Sequence, residues 1–192
     1  MITIVPYDPR WPEEFVALAD PLRQALTDEA LRIDHIGSTA VLGLAAKDKI
    51  DIQVTIGDFS NITMILAAIT ALSYQVFREP LLHDHRPPAA TGPESDWEKS
   101  TLTSLPEVRS SNIHVRAQGR PNQRYPLLFR DYLRGHPIAV GAYAEIKRQL
   151  ARYRPDDLDF YYDIKDPVCD VIIDAAEEWA RSSEWVQGPA DR

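Results

Sequence analysis

Residues 49–56, KIDIQVTI, alternate apolar and polar side chains with a period of two. Successive side chains of a β-strand point to opposite faces, so this period predicts a strand and disfavours an amphipathic helix. Isoleucine and valine build one face, while Asp51, Gln53 and Thr55 build the other. We therefore expect a sheet with one face for a core and a second face that presents polar groups.

Helical patterns flank this strand on both sides. Apolar residues recur at helical spacing from Trp11 to Leu26, and Pro21 is expected to kink or restart that helix. Further helices are predicted at Asn61–Leu72, Tyr125–Gly135, Ile138–Tyr153 and Asp163–Trp185, the last restarted by Pro167. Further strands are predicted at Leu31–Ile36, Tyr74–Phe77, Trp97–Ser104 and Ile113–Ala117.

This mixture predicts an α+β fold, with a mixed sheet flanked by helices. A chain of 192 residues fits one domain, which we place at residues 1–185, followed by a frayed tail at 186–192. Residues 81–96 are rich in proline and polar side chains and predict an exposed loop. A metal clip formed by His83 and His85 in this loop is the less favoured interpretation of that stretch.

Cysteine content and hydropathy limit the class of protein. Cys169 is the one cysteine, which excludes a disulfide framework within the chain and any multi-cysteine zinc site. No apolar run approaches the roughly 20 residues that a membrane-spanning helix needs. The first residues, MITIVPYDPRWPEEF, lack the pattern of a signal peptide, so we expect a cytoplasmic protein with no membrane partner.

Charge is unevenly distributed along the chain, whose formal net charge is −8. Residues 109–154 carry ten lysines and arginines against two acidic residues, whereas the segments on either side are both acidic. This basic segment either presents a surface for anions or is neutralised internally by the acidic segments. The acidic chain as a whole is a poor partner for bulk nucleic acid, but a small phosphorylated ligand is compatible with it.

The most informative motif runs from His35 through Gly37-Ser38 to Asp51 on the following strand. Gly37 permits close approach of the backbone to a ligand, and free N–H groups after Ser38 favour an anion such as phosphate. A carboxylate beside such a phosphate site can hold Mg²⁺ against a nucleotide. The alternative interpretation is a tight turn followed by a solvated strand face.

Basic side chains elsewhere could complete an anion site. Arg130 and Arg134 lie four residues apart on one helical face, and arginine recognises phosphate through two parallel hydrogen bonds. Arg116, Lys147 and Lys47 could assist them. The alternative is an internal lattice of salt bridges in which Asp131 and the acidic C-terminal helix neutralise the arginines.

Several motifs in register make the chain resemble the GrpB-like family. HIGSTAVLGLAAKDKIDIQV looks like that family's signature, and VPYDPRW near the start looks like its opening. Phe129–Arg134 followed by His136-Pro137 is similar to its F-R-D-Y-L-R-x-H-P run. Two Tyr–Lys pairs spaced by four residues, Tyr143 with Lys147 and Tyr161 with Lys165, match as well.

The resemblance implies a nucleotidyltransferase-like fold, and related domains occur fused to dephospho-coenzyme A kinase. Active nucleotidyltransferases hold two Mg²⁺ ions with two carboxylates on one strand and a third on a neighbouring strand. Asp51 matches the first, but Gln53 stands at the second, and the third falls near Asn112 and His114. The departures therefore disfavour a two-ion centre and leave a single Mg²⁺ or Mn²⁺ ion held by Asp51 and His114, which would be the catalytic pair.

Three hypotheses for function follow from these residues. The first is a degenerate nucleotidyltransferase-like protein that binds a nucleotide or another phosphorylated small molecule, with phosphate contacts from the set Gly37, Ser38, Lys47, Arg116, Arg130, Arg134 and Lys147. The second is a non-catalytic module for interaction or folding support. The third is an active metal-dependent nucleotidyltransferase. The sequence predicts no oligomeric state.

Overall fold

A six-stranded mixed sheet forms the centre of the molecule in a computed structural model that describes residues 1–192. The strands are β1 Arg32–Ile36, β2 Ile50–Ile56, β3 Tyr74–Val76, β4 Leu82–His83, β5 Glu98–Ser104 and β6 Ser111–Ala117. Their order is β1-β2-β6-β5-β3, and β4 pairs with β5. β2 and β6 are parallel, while the other neighbours are antiparallel. The predicted α+β class is confirmed.

Helices cover both faces of the sheet. They are α1 Trp11–Leu26, α2 Ile62–Thr70, α3 Pro121–Gly135, α4 Pro137–Tyr153 and α5 Leu158–Ser182. The apolar face of β2 is completely buried under α1 and α2 in the largest core cluster, as its alternation predicts. The opposite face is polar and lies beneath α3, whose Gln123 accepts a hydrogen bond from Gln53. None of the five helices combines the length and the apolar character needed to cross a bilayer.

Pro21 and Pro167 were predicted to restart their helices, but neither proline interrupts its helix. α1 runs through Pro21 without restarting, because Pro21 lies on its exposed side, where a carbonyl left without its amide partner can bond to water. α5 begins at Leu158, five residues before the predicted start, and continues through Pro167. Its start is set by Asp157, whose carboxylate accepts a hydrogen bond from the Phe160 amide at 2.9 Å.

The proline-rich segment 81–96 is only partly an exposed loop. Leu82–His83 forms the short strand β4 against β5, and the next residue, Asp84, has a side chain only 14% exposed. Asp84 contacts three cationic or amide groups from other elements, Lys99, Arg116 and Asn122. A buried carboxylate needs such partners, and they anchor the segment to the sheet.

The tail at 186–192 is not frayed, which corrects the prediction. Arg192 exchanges two backbone hydrogen bonds with Ile33 on β1, at 3.0 and 3.2 Å. The Asp191 carboxylate accepts from the His35 amide and from Arg130, both at 2.9 Å. β1 is an edge strand with unpaired backbone groups, and the tail covers that edge. Pairing between segments this distant along the chain leaves no local signal in the sequence.

Candidate functional site

The Gly37-Ser38 bend lies directly against Asp51. Gly37 follows β1 with φ of 71°, a conformation that glycine adopts without penalty, and a short helical turn, Ser38–Ala40, follows it. A Cβ placed on Gly37 would lie 2.6 Å from Asp51 Oδ2. The bend and the first residues of β2 therefore meet at the polar face, as the motif predicts.

Asp51 is held by two partners from β6. Its Oδ1 accepts a hydrogen bond from Asn112 Nδ2 at 3.1 Å and lies 3.6 Å from His114 Nε2. Burial raises the pKa of Asp51, but His114 and Asn112 outweigh it, so the net pKa lies below the usual value and the group is ionised. Burial lowers the pKa of His114, and Asp51 opposes that change.

The donors at this face do not fit a two-ion centre. Gln53 is fully buried, and both ends of its amide are occupied: Nε2 donates to the Gln123 carbonyl at 3.0 Å and Oε1 accepts from Arg116 at 2.8 Å. No group of three or more His, Cys, Asp or Glu side chains is arranged to hold a metal ion. Asp34, opposite Gln53 on β1, is already paired with Arg32 at 2.8 Å, and Asp51 alone cannot supply the charge that two bridging ions require. A single ion between Asp51 and His114 stays a prediction.

Ser38 is hydrogen-bonded to a buried lysine from α4. Lys147 Nζ lies 2.8 Å from Ser38 Oγ, and the Lys147 residue is 2% exposed. It also lies over the Tyr143 ring, 4.4 Å from the centroid, and forms no salt bridge. Burial lowers the pKa of Lys147 to about 7, and the positive charges of Lys165 and Lys47 act in the same direction.

Two further lysines lie near Lys147, and we call Lys47, Lys147 and Lys165 the lysine cluster. Lys47 Nζ is 3.0 Å from the Tyr162 hydroxyl and also lies over the Tyr161 ring. Lys165 bonds Asp166 at 2.7 Å. The Lys147 and Lys165 amines are linked through Tyr143 and Cys169, since the Cys169 sulfur is 3.4 Å from the Tyr143 hydroxyl and 3.7 Å from Lys165 Nζ.

The three arginines predicted as phosphate ligands are engaged in internal contacts. Arg116, 5% exposed, is held by Gln53 and by Asp84, whose Oδ2 accepts from Nε at 2.7 Å. Arg130, also 5% exposed, bonds the His35 carbonyl and two carboxylates, those of Asp131 and Asp191. Arg134 donates two hydrogen bonds to the Ala40 carbonyl.

These contacts favour the internal lattice over the arginine clamp, with one difference from the prediction. The acidic partner that the C-terminal part of the chain supplies to Arg130 is Asp191 of the tail, rather than a residue of α5. Arg134 fixes the turn after Ser38 from outside, because its acceptor is the carbonyl of Ala40 in that turn. Arg130 therefore positions the bend from the interior, and Arg134, whose side chain is 43% exposed, positions it from the surface.

A small pocket opens beside the lysine cluster, with a volume of about 160 Å³. Its lining combines side chains from the 81–96 segment, β6, α3 and α5, and includes Asp84, Arg116, Tyr125, Lys165 and Cys169. This volume is well below the roughly 300–1,000 Å³ of a drug-sized ligand site. The pocket therefore suits a small polar group.

Two residues of this region were missed as site residues by the sequence reasoning. Lys165 is one, although its Tyr161–Lys165 pair repeats the spacing of Tyr143–Lys147 on a different helix, and that repeat is a usable signal. Asp84 is the other, because its role depends on Arg116 and Lys99 from distant strands. No local pattern marks a carboxylate with such partners.

The fold and the site together define a class: an α+β protein with a mixed sheet, on whose polar side a Gly-Ser bend, Asp51 and the lysine cluster lie together. The family model described as "GrpB protein" matches residues 1–175. A crystal structure of the conserved protein GrpB from Enterococcus faecalis superposes with a TM-score of 0.76 at 28% identity, covering 92% of this chain and 99% of that one. The chain belongs to the GrpB family.

Curated relatives carry two kinds of description. A UPF0157 protein of Halalkalibacterium halodurans is 33% identical over 176 residues, which cover 91% of this chain and 82% of that protein. A dephospho-CoA kinase of Mycolicibacterium paratuberculosis is 32% identical over 195 residues, covering 96% of this chain and 48% of that protein. The chain spans about half the length of this kinase, so the kinase's activity is not transferred to it.

Proposed function

We propose that this protein binds a nucleotide or another phosphorylated small molecule through a phosphate group at Ser38 and the lysine cluster. The observation that carries the proposal is the Lys147–Ser38 contact of 2.8 Å. Lys147 is buried with no carboxylate bonded to it, and burial lowers its pKa to about 7, so the charged amine is only partly populated at neutral pH. An anion at Ser38 would supply the missing counter-charge.

Two features of the surroundings support an anion here. Lys47 contributes a second cation that is bonded to a tyrosine hydroxyl instead of a carboxylate. The Gly37-Ser38 bend is partly exposed, so a ligand can reach the Ser38 hydroxyl. The nucleotidyltransferase-like fold that the GrpB-like resemblance implies agrees with a phosphorylated ligand, although the absent second carboxylate disfavours nucleotidyl transfer itself.

Isothermal titration of the purified chain with inorganic phosphate, pyrophosphate, adenosine monophosphate and coenzyme A tests the proposal. We expect saturable binding of at least one of these probes, and a loss of about tenfold or more in affinity for Lys147→Met, since charge-assisted hydrogen bonds contribute about 1.5–3 kcal/mol. Arg152→Met is a matched control, because Arg152 lies on the same helix as Lys147 but is exposed and outside the lysine cluster. Absence of heat with every probe would contradict the proposal.

A further inference from the structure

Asp51 could bind a phosphate group only through a metal ion, whereas the lysine cluster could bind it directly. We propose that the phosphate enters in its free form, without a divalent cation, and that the lysine cluster supplies the positive charge that such a cation would bring. This inference rests on the proposed function and concerns the form of ligand that the same site accepts.

Two of the three amines of the lysine cluster are not paired with a carboxylate. Lys165 is paired with Asp166, whereas neither Lys47 nor Lys147 forms a salt bridge. Below pH 7, where Lys147 is protonated, neither amine is bonded to a carboxylate, and Asp51 acts on Lys47 only at a distance, so both amines are available to a ligand. A dianionic phosphate would neutralise both with no metal between them.

The polar face, where a metal ion would bind, is already occupied by contacts between side chains. Asp51 already has a hydrogen bond from Asn112 and a neighbouring imidazole, His114. At the position of the missing second carboxylate, Gln53 holds the guanidinium of Arg116 at 2.8 Å. Because Arg116 occupies this place and is itself paired with Asp84, neither Gln53 nor Asp84 is available to coordinate a divalent cation.

The class of ligand that binds without a metal ion follows from how strongly phosphates bind Mg²⁺. Nucleoside triphosphates bind Mg²⁺ strongly and are bound to it in most magnesium-containing solutions, whereas phosphomonoesters bind Mg²⁺ weakly and remain largely free. A site that takes a metal-free phosphate therefore favours a phosphomonoester.

Asp51 distinguishes the two modes of binding. If a metal ion bridged the chain to phosphate, Asp51 would be its one carboxylate ligand and Asp51→Asn would abolish binding. If the phosphate binds free, Asp51 is a nearby negative charge that opposes it, so Asp51→Asn should bind equally or more tightly. The amide is close in size to the carboxylate and preserves the contact with Gly37.

The experiment titrates inorganic phosphate into wild type and Asp51→Asn, each with excess EDTA and with millimolar Mg²⁺. We expect the wild-type dissociation constant to agree within about twofold between the buffers, and that of Asp51→Asn to be equal or lower in both. Binding that requires Mg²⁺ and disappears in Asp51→Asn would overturn this inference and leave the proposed function standing. If neither inorganic phosphate nor any of the other probes named above binds, the proposed function is overturned.

A second measurement does not depend on any variant folding. Electron paramagnetic resonance of Mn²⁺ reports the free ion directly in a mixture with wild-type protein and phosphate. We expect the amount of free Mn²⁺ to match that in phosphate alone. A protein-dependent loss of the free Mn²⁺ signal that appears only when phosphate is present would contradict metal-free binding.

Discussion

Gly37 packs its Cα against the carboxylate of Asp51, so closely that a Cβ on Gly37 would lie 2.6 Å from Oδ2. This contact joins the end of β1 to the start of β2 on the polar side of the sheet, where β1 and β2 pair with Ile36 opposite Asp51. The position of the Gly-Ser bend therefore depends on the absence of a side chain at residue 37.

Gly37→Ala is expected to destabilise the fold more than Gly43→Ala. Both glycines have positive φ, at 71° and 79°, but nothing lies within 4 Å of a Cβ on Gly43. Backbone strain should cost each variant about 1–3 kcal/mol, and Gly37→Ala should lose more because it also displaces Asp51. Urea unfolding measures both free energies. Equal losses would show that the contact with Asp51 has no energetic consequence.

Asp84→Asn is expected to reduce the free energy of unfolding by about 3–5 kcal/mol, because it leaves two cations without their counter-ion. The side chains concerned are largely buried: 14% exposed for Asp84, 7% for Arg116 and 17% for Lys99. Asp170→Asn is the control, since its pair with His85 is more exposed and should cost at most about 1 kcal/mol. A loss for Asp84→Asn as small as the control would contradict the buried network.

Truncation after Trp185 is expected to destabilise the chain, because residues 186–192 cover the edge of β1. A double-mutant cycle of Arg130→Lys and Asp191→Asn isolates one anchor, the 2.9 Å contact between their side chains. We expect a coupling energy of about 0.5–3 kcal/mol from thermal or urea unfolding. Val186→Ala, at an exposed position, should leave stability unchanged. If the truncated chain is as stable as the full chain, the tail does not contribute to stability, as predicted for a frayed tail.

Stability is expected to fall as the pH drops from 6.5 to 4, in part through His35. Burial lowers the pKa of His35 to about 4, while Asp191 and Asp51 act against the decrease. Between this value and the unfolded pKa of about 6.5, the unfolded chain binds more protons, so acid favours unfolding by up to about 3 kcal/mol.

His35→Gln should flatten this part of the curve of unfolding free energy against pH. The variant keeps a polar group near Thr39, to which His35 Nε2 is bonded at 3.0 Å. His83→Gln is the control, because the His83 side chain is 48% exposed. A slope between pH 4 and 6.5 that is the same in wild type and His35→Gln would contradict the assignment.

Anion binding is expected to take up a proton above pH 7. Burial lowers the pKa of Lys147, Cys169 opposes that change, Lys165, Lys47 and Arg148 add to it, and the net pKa is about 7. A bound anion favours the charged amine, so affinity should fall by as much as tenfold per pH unit as the pH rises above 7.

Sulfate is the probe for this prediction, because it does not itself titrate in this range. Isothermal titration in two buffers of different ionisation enthalpy gives the number of protons taken up. Lys147→Arg, which stays charged, should bind sulfate without proton uptake. Equal proton uptake by wild type and Lys147→Arg would assign the proton to another group.

Local patterns were sufficient for most of the fold. The alternation in residues 49–56 predicted β2 and the face it buries, and the stripe from Trp11 to Leu26 predicted α1. Errors arose where a distant contact or a cap determined the structure. Asp157 started α5 earlier than its apolar pattern indicated, and the backbone of Arg192 paired with Ile33 in a tail predicted to fray.

The candidate site was predictable in part for the same reason. Gly37, Ser38 and Asp51 are separated by one short connection, so their meeting follows from two adjacent strands. Arg116 and Arg130 are as basic in sequence as Lys147, and nothing local separates them. Only the tertiary structure shows that both arginines are neutralised by Asp84 and Asp191 while Lys147 has no such partner.

The sequence alone determined the α+β class, the polar and apolar faces of β2 and the bend beside Asp51, because these depend on periodicity and on neighbouring residues. Tertiary structure decided which positive charges remain uncompensated and which edge of the sheet the tail covers. Charge neutralisation and strand pairing join distant residues, such as Arg192 and Asp20, which are 172 positions apart, and so depend on how the whole chain packs.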